Sequence, residues 1–155
     1  MPDFVAGEIV TANKMNQIPK GVLGYAQVTS GQSGITSMTD LTGLSVTVNI
    51  SAGRIIRITG HGLLSVNNFR SVAAGWIREG SSTLGRFGSV DNQALTANAF
   101  ALGHGAVILS SPSPGQHTYK LSLEVTSGSG TASLQAFTTS PAYILVEDLG
   151  ADPNA

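Results

Sequence analysis

Residues 117–150, HTYKLSLEVTSGSGTASLQAFTTSPAYILVEDLG, decide the fold. Tyr119, Leu121, Leu123 and Val125 alternate with Thr118, Lys120, Ser122 and Glu124, the period-2 pattern of a strand with one wet and one dry face. Ser127-Gly128-Ser129-Gly130 follows. Glycine reaches φ > 0 without steric penalty, so this run reads as a hairpin connection and not as a linker between domains. Leu134 and two small alanines carry the next strand signal, Pro141 closes a turn, and Ala142, Tyr143, Ile144, Leu145 and Val146 form an unbroken apolar run. A strand apolar on both faces must be covered on both. In an antiparallel protein such a run is either the central strand of a sandwich or a strand at a subunit interface, so Tyr143 and Leu145 are candidate interface residues.

Working outward, everything from Gly21 reads as strand and turn. Residues 22–29 form a strand, 30–40 a loop, and 44–50 a strand with Leu44, Val46, Val48 and Ile50 on one face. Residues 53–66 come after a Ser51-Ala52-Gly53 turn, and Gly60 and Gly62 within them point to a bend or a close backbone approach. Asn67-Asn68 makes a turn; 71–80 and 83–90 pair through Gly80-Ser81-Ser82; 94–103 and 105–111 are two further strands. About ten short strands with no crossover helix define an all-β fold, an antiparallel β-sandwich of jelly-roll type. The N-terminal residues differ. Residues 11–18 are the one helix signal, with Thr11 as N-cap and Pro19 as stop, and so short a helix needs something to dock on. Phe4, Val5 and Ile9 precede it as an apolar arm, and Met15 and Ile18 lie within it. The organisation is an arm over 1–20, a sandwich over 21–150 and a tail over 151–155.

Composition narrows the function. The 155 residues suit one domain, there is no cysteine for a disulfide or a thiolate metal site, and only 11% are charged, with a formal net charge of −1. No electrostatic footprint for nucleic acid or an anionic membrane exists, and no run is apolar over the length of a membrane helix. MPDFVAGEIV lacks the basic start and long apolar core of a signal peptide. Few lysines remain to blunt sheet edges, which favours a closed oligomer.

No catalytic constellation is apparent. The carboxylates are scattered; Glu147 and Asp148 are adjacent but point to opposite faces of a strand, unlike a glycosidase pair, and read as solvated charge at a strand end. His61, His104 and His117 fall in separate strands or turns and read as surface or bend histidines, so neither a metal nor another cofactor is expected. Trp76 beside Arg78 is a candidate sugar platform; the alternative is a core tryptophan.

The segment FVAGEIVTANKMN at 4–16 resembles the N-terminal attachment segment of small virion proteins of tailed bacteriophages, especially those infecting actinobacteria. The resemblance continues through GVLGYAQVT at 21–29, DLTGLSVT at 40–47, GRIIRITGH at 53–61, HTYKL at 117–121 and PAYILVEDLG at 141–150. Departures are Ile56 where an aromatic is usual, Met15 where leucine is commoner, and the short tail ADPNA. The resemblance implies a non-enzymatic, homotrimeric jelly-roll module located in the virion and made in the host bacterial cytoplasm. Its arm (Phe4, Val5, Ile9, Thr11, Met15, Ile18) would anchor it to other virion proteins. Proteins of this look are variously minor tail, head fibre or decoration proteins. The alternative is a carbohydrate- or receptor-binding module that contacts a host surface glycan.

Overall fold

The computed structural model describes residue 15 and residues 17–155, and these build two antiparallel sheets packed face to face. Ten strands occur among them: β1 (Gly21–Val28), β2 (Gln32–Ile35), β3 (Thr39–Ile50), β4 (Arg54–Val66), β5 (Val72–Glu79), β6 (Ser82–Asp91), β7 (Ala99–Ser110), β8 (Gly115–Ser127), β9 (Ala132–Gln135) and β10 (Ala142–Ala151). The pairing obeys one rule. β1 pairs with β10, β2 with β9, β3 with β8, β4 with β7 and β5 with β6, so the chain is one long antiparallel ribbon folded at the β5–β6 turn. Wound into a sandwich, the ribbon places β1-β10-β4-β7 in one sheet, with β9 and β2 continuing beside β4, and β3-β8-β5-β6 in the other. This is the topology of a jelly roll.

Alternation along each strand sends Leu44, Val46 and Val48 of β3, Ile56, Ile58 and Leu64 of β4, Tyr119, Leu121 and Leu123 of β8, and Ile144 and Val146 of β10 into one core. Phe87 sits at its centre because a β-bulge leaves it without a partner: Gly75 pairs with Gly88, whereas Trp76 pairs with Arg86. Its ring fills space that glycines leave open. A Cβ added to Gly75 would lie 2.5 Å from the ring, and one added to Gly60 2.9 Å from it. The close approach expected at Gly60 is therefore real, and β4 runs through it without a bend.

The sandwich also closes at its corners. A Cβ on Gly88 of β6 would fall 2.5 Å from the Gly103 Cα of β7, and one on Gly24 of β1 would fall 2.2 Å from Val46 of β3. Edge strands thus lean on the opposite sheet, which lessens the exposed-edge problem inferred from the scarcity of lysine.

Several expectations need correction. The stretch 30–40 contains β2, which Ile35 secures by burying its side chain in the core. Residues 94–111 hold one strand and not two; β7 runs unbroken through Gly103 and Gly105 because β4 pairs with it along its whole length. The Ser127–Gly130 run is no hairpin: β8 and β9 lie in different sheets, and Gly128, at φ 86°, carries the chain across against Ser71. Asp148 is not solvated. It is buried and takes a bidentate pair from Arg54, with Nε–Oδ2 at 2.9 Å and Nη2–Oδ1 at 2.6 Å. Of the expected helix, Met15 and Gln17 carry helical backbone, Ile18 is a bend, and residues 11–14 and 16 lie outside the described residues.

Candidate functional site

The two outer faces differ in chemistry. On the four-stranded sheet the side chains are polar and tied to one another. Asp40 accepts hydrogen bonds from Lys120, from Ser122 at 2.7 Å and from Arg78 at 3.2 Å. Burial acts to raise the Asp40 pKa, but the Lys120 and Ser122 hydrogen bonds and the Lys120 and Arg78 charges outweigh it and hold the carboxyl below its ordinary value. Trp76 lies on this outer face and not in the core: its indole N–H donates to Glu124 at 2.9 Å, and the Arg86 guanidinium covers its ring at 4.6 Å. Arg78 is spent on Asp40 and on the Ser81 carbonyl at 3.1 Å.

The outer face of the six-stranded sheet carries exposed apolar and aromatic side chains set among charged and polar ones. Strand register sets it in rows: Val22, Glu147, Arg57 and Ile108; then Tyr25, Leu145, Thr59 and Ala106; then Gln27, Tyr143, His61 and His104. Leu102 and Phe100 extend it along β7. Leu102 and Ile108 are each 62% exposed and Val22 61%, so the described part of the chain does not cover this face. Its centre is ordered by ring contacts, Tyr25 to Tyr143 at 5.8 Å and Tyr143 stacked on His61 at 4.8 Å. Arg57 and Glu147 pair at 2.8 Å across β4 and β10 and form one wall of a shallow groove of about 440 Å³. Thr59, His104, Gly105, Ala106, Tyr143 and Leu145 complete its lining.

His61 and His104 face each other across β4 and β7, Nδ1 to Nδ1 at 3.3 Å. Burial, and then the neighbouring His104, lower the His61 pKa. Nothing in their separate sequence contexts relates these histidines except one signal: Gly60-His61-Gly62 and Gly103-His104-Gly105 are the same tripeptide, and the antiparallel register lays one on the other.

Of the residues singled out from sequence, Tyr143 and Leu145 stand at the middle of the apolar face, while their neighbours Ala142, Ile144 and Val146 point into the core. Trp76 and Arg78 belong to the opposite sheet. Phe4, Val5, Ile9 and Thr11 lie outside the described residues; Met15 is exposed and Ile18 half-buried. Ile18 is tied to the sandwich, since its carbonyl accepts from Arg54 Nη2 at 2.7 Å, on the same guanidinium that grips Asp148. Tyr25, Leu102, Ile108 and Phe100 are not legible as a group in sequence because only the register unites them. Among the described residues no group of three or more His, Cys, Asp or Glu side chains could together hold a metal ion.

No family model matches the chain, and no curated protein matches it. Among solved structures, it is similar to the CBM36-1 domain of a multidomain xylanase from the hindgut metagenome of Trinervitermes trinervoides, at 13% identity and a TM-score of 0.38, over 79% of this chain and 94% of that one. It is also similar to a chain of infectious bursal disease virus, Gx strain, at 11% identity and a TM-score of 0.45. That match covers 99% of this chain, which spans only 42% of the viral one.

Proposed function

We propose that the chain is a non-enzymatic structural module of a bacteriophage virion, a homotrimer that closes through the outer face of the six-stranded sheet and is anchored by its N-terminal arm to another virion protein. The observation that carries this reading is the asymmetry of the two faces. One is polar, with side chains hydrogen-bonded to one another; the other presents Val22, Tyr25, Leu145, Tyr143, Ile108, Leu102 and Phe100 at its surface. Apolar surface of that extent is stable when a partner covers it, and a second and third copy of the same chain supply matching surface. The resemblance of 4–16 and of the strands from 21 to 150 to virion proteins supports the setting.

The alternative reading, glycan binding at Trp76, has less support because Arg86 lies on the indole face where a sugar would stack. Anchoring is tested by removing residues 1–14, which spares the Ile18 carbonyl that Arg54 holds. The shortened protein is expected to keep its native circular dichroism and to stop adding to particles that lack the protein. If it still decorates them, or unfolds, the anchor reading is wrong.

A further inference from the structure

The facing histidines carry an inference about a contact made within one chain, on the same outer face through which the trimer is proposed to close. Their Nδ1 atoms are 3.3 Å apart, and among the described residues no other hydrogen-bond partner engages either of these nitrogens. That separation serves a hydrogen bond between one protonated and one free ring nitrogen. It also matches a second quantity: two imidazole nitrogens at about 2.0–2.1 Å from one tetrahedral ion stand about 3.3–3.4 Å apart. We propose that His61 and His104 form a two-imidazole chelate for a divalent first-row transition ion such as Zn²⁺, bound through the two Nδ1 atoms, with open positions left to water or to a ligand brought by a partner.

Three features of the fold support the site. Both ligands stand on paired strands and not on loops, His61 on central β4 and His104 on edge strand β7, and Gly60↔Gly105 and Gly62↔Gly103 on either side fix the His61↔His104 register. Tyr143 stacks on the His61 ring at 4.8 Å, and the two imidazoles meet edge to face at 69°, which directs both nitrogens into the space between them. The groove beside His104, lined also by the small side chains of Thr59 and Ala106, opens to solvent in the single chain and has room for the ion's remaining ligands. Imidazole pairs suit Zn²⁺, Ni²⁺ and Cu²⁺, and hard oxygen-preferring ions such as Mg²⁺ and Ca²⁺ have no ligand set here.

The test is calorimetric titration of the untagged full chain with zinc chloride at neutral pH in a non-chelating buffer. One ion per chain is expected. His61→Gln and His104→Gln should each weaken binding by more than about 10-fold, a loss that even changes behind the ligands can produce. His117→Gln should bind as the wild type does. Long-range ¹H–¹⁵N spectra give a second readout: zinc should move the Nδ1 resonances of His61 and His104 and leave those of His117 in place. Absence of saturable binding at millimolar zinc, or binding that survives His61→Gln unchanged, overturns the site and leaves the two rings sharing a proton.

Discussion

Two neighbouring residues on β10 allow the assembly reading to be separated from simple misfolding. Ile144 is fully buried in the core, whereas Leu145 faces outward between Tyr25 and Thr59 and is half-buried in the single chain. Within one chain, Leu145→Asp loses a cross-strand contact with Tyr25 that contributes about 0.2–1 kcal/mol. For a chain of this size that lowers the melting temperature by no more than about 4 °C. In a closed trimer the same substitution loses about 1 kcal/mol per copy, taken as half the contribution of a fully buried leucine. It also desolvates a carboxylate with no partner at a cost of several kcal/mol. Repeated three times, the penalty exceeds about 10 kcal/mol, or about seven orders of magnitude in the association constant. Size-exclusion chromatography with light scattering at micromolar concentration should give three times the 15.9 kDa chain mass for the wild type and the mass of one chain for Leu145→Asp, with far-ultraviolet circular dichroism unchanged. Ile144→Asp should not fold at all. A wild type of 15.9 kDa, a variant that remains trimeric, or a Leu145→Asp chain that unfolds as Ile144→Asp does would each refute the argument.

Two further expectations concern the sandwich itself. Gly75→Ala places a methyl group 2.5 Å from the Phe87 ring, which the β-bulge holds in place, and should destabilise the fold by about 1–3 kcal/mol in chemical denaturation. His117 is held by Glu79 at 2.6 Å and by the Ser113 carbonyl at 2.7 Å. Burial acts to lower its pKa, but those two partners prevail and raise it. A raised folded-state value means that its contribution to stability is complete below the unfolded value of about 6.5 and is lost as pH rises through the folded value. His117→Gln should therefore remove the part of the stability loss that the wild type shows in that window; an unchanged profile would assign that loss to other groups.

How far the sequence can be read depends on whether a feature is local. In-and-out alternation is local, so the dry faces of β3 and β8 and the doubly apolar β10 are legible in Leu44 to Ile50, Tyr119 to Val125 and Ala142 to Val146. Pairing is not local in this fold. In a ribbon in which β1 meets β10 and β4 meets β7, β5 and β6 are the only consecutive strands that hydrogen-bond to each other, and theirs is the connection through Gly80 that sequence places correctly. The Ser127–Gly130 run has the composition of a hairpin turn but changes sheets, because β9 beyond it bonds to β4 and β2 and not to β8. The same property hides the site. A row such as Tyr25, Leu145, Thr59 and Ala106 draws on four strands spread over most of the chain, and each residue alone is an ordinary side chain, from buried Thr59 to exposed Tyr25. Asp148 is hidden for a related reason: its Arg54 partner is 94 residues away, and a carboxylate near a strand end reads as solvated until that partner is known. The twice-used Gly-His-Gly is the feature that sequence does contain. Gly60 and Gly62 on β4, and Gly103 on β7, have no room for a side chain on the inner face because Phe87, Leu121 and Leu134 occupy it, and a Cβ on Gly105 would run into the Phe87 backbone. The histidine between each pair must then point outward, and because the strands are antiparallel the two outward histidines meet. Core packing thus imposes the glycines, and the glycines place the histidines opposite each other, so the feature most open to chemical use on the outer surface is set by the ring buried beneath it.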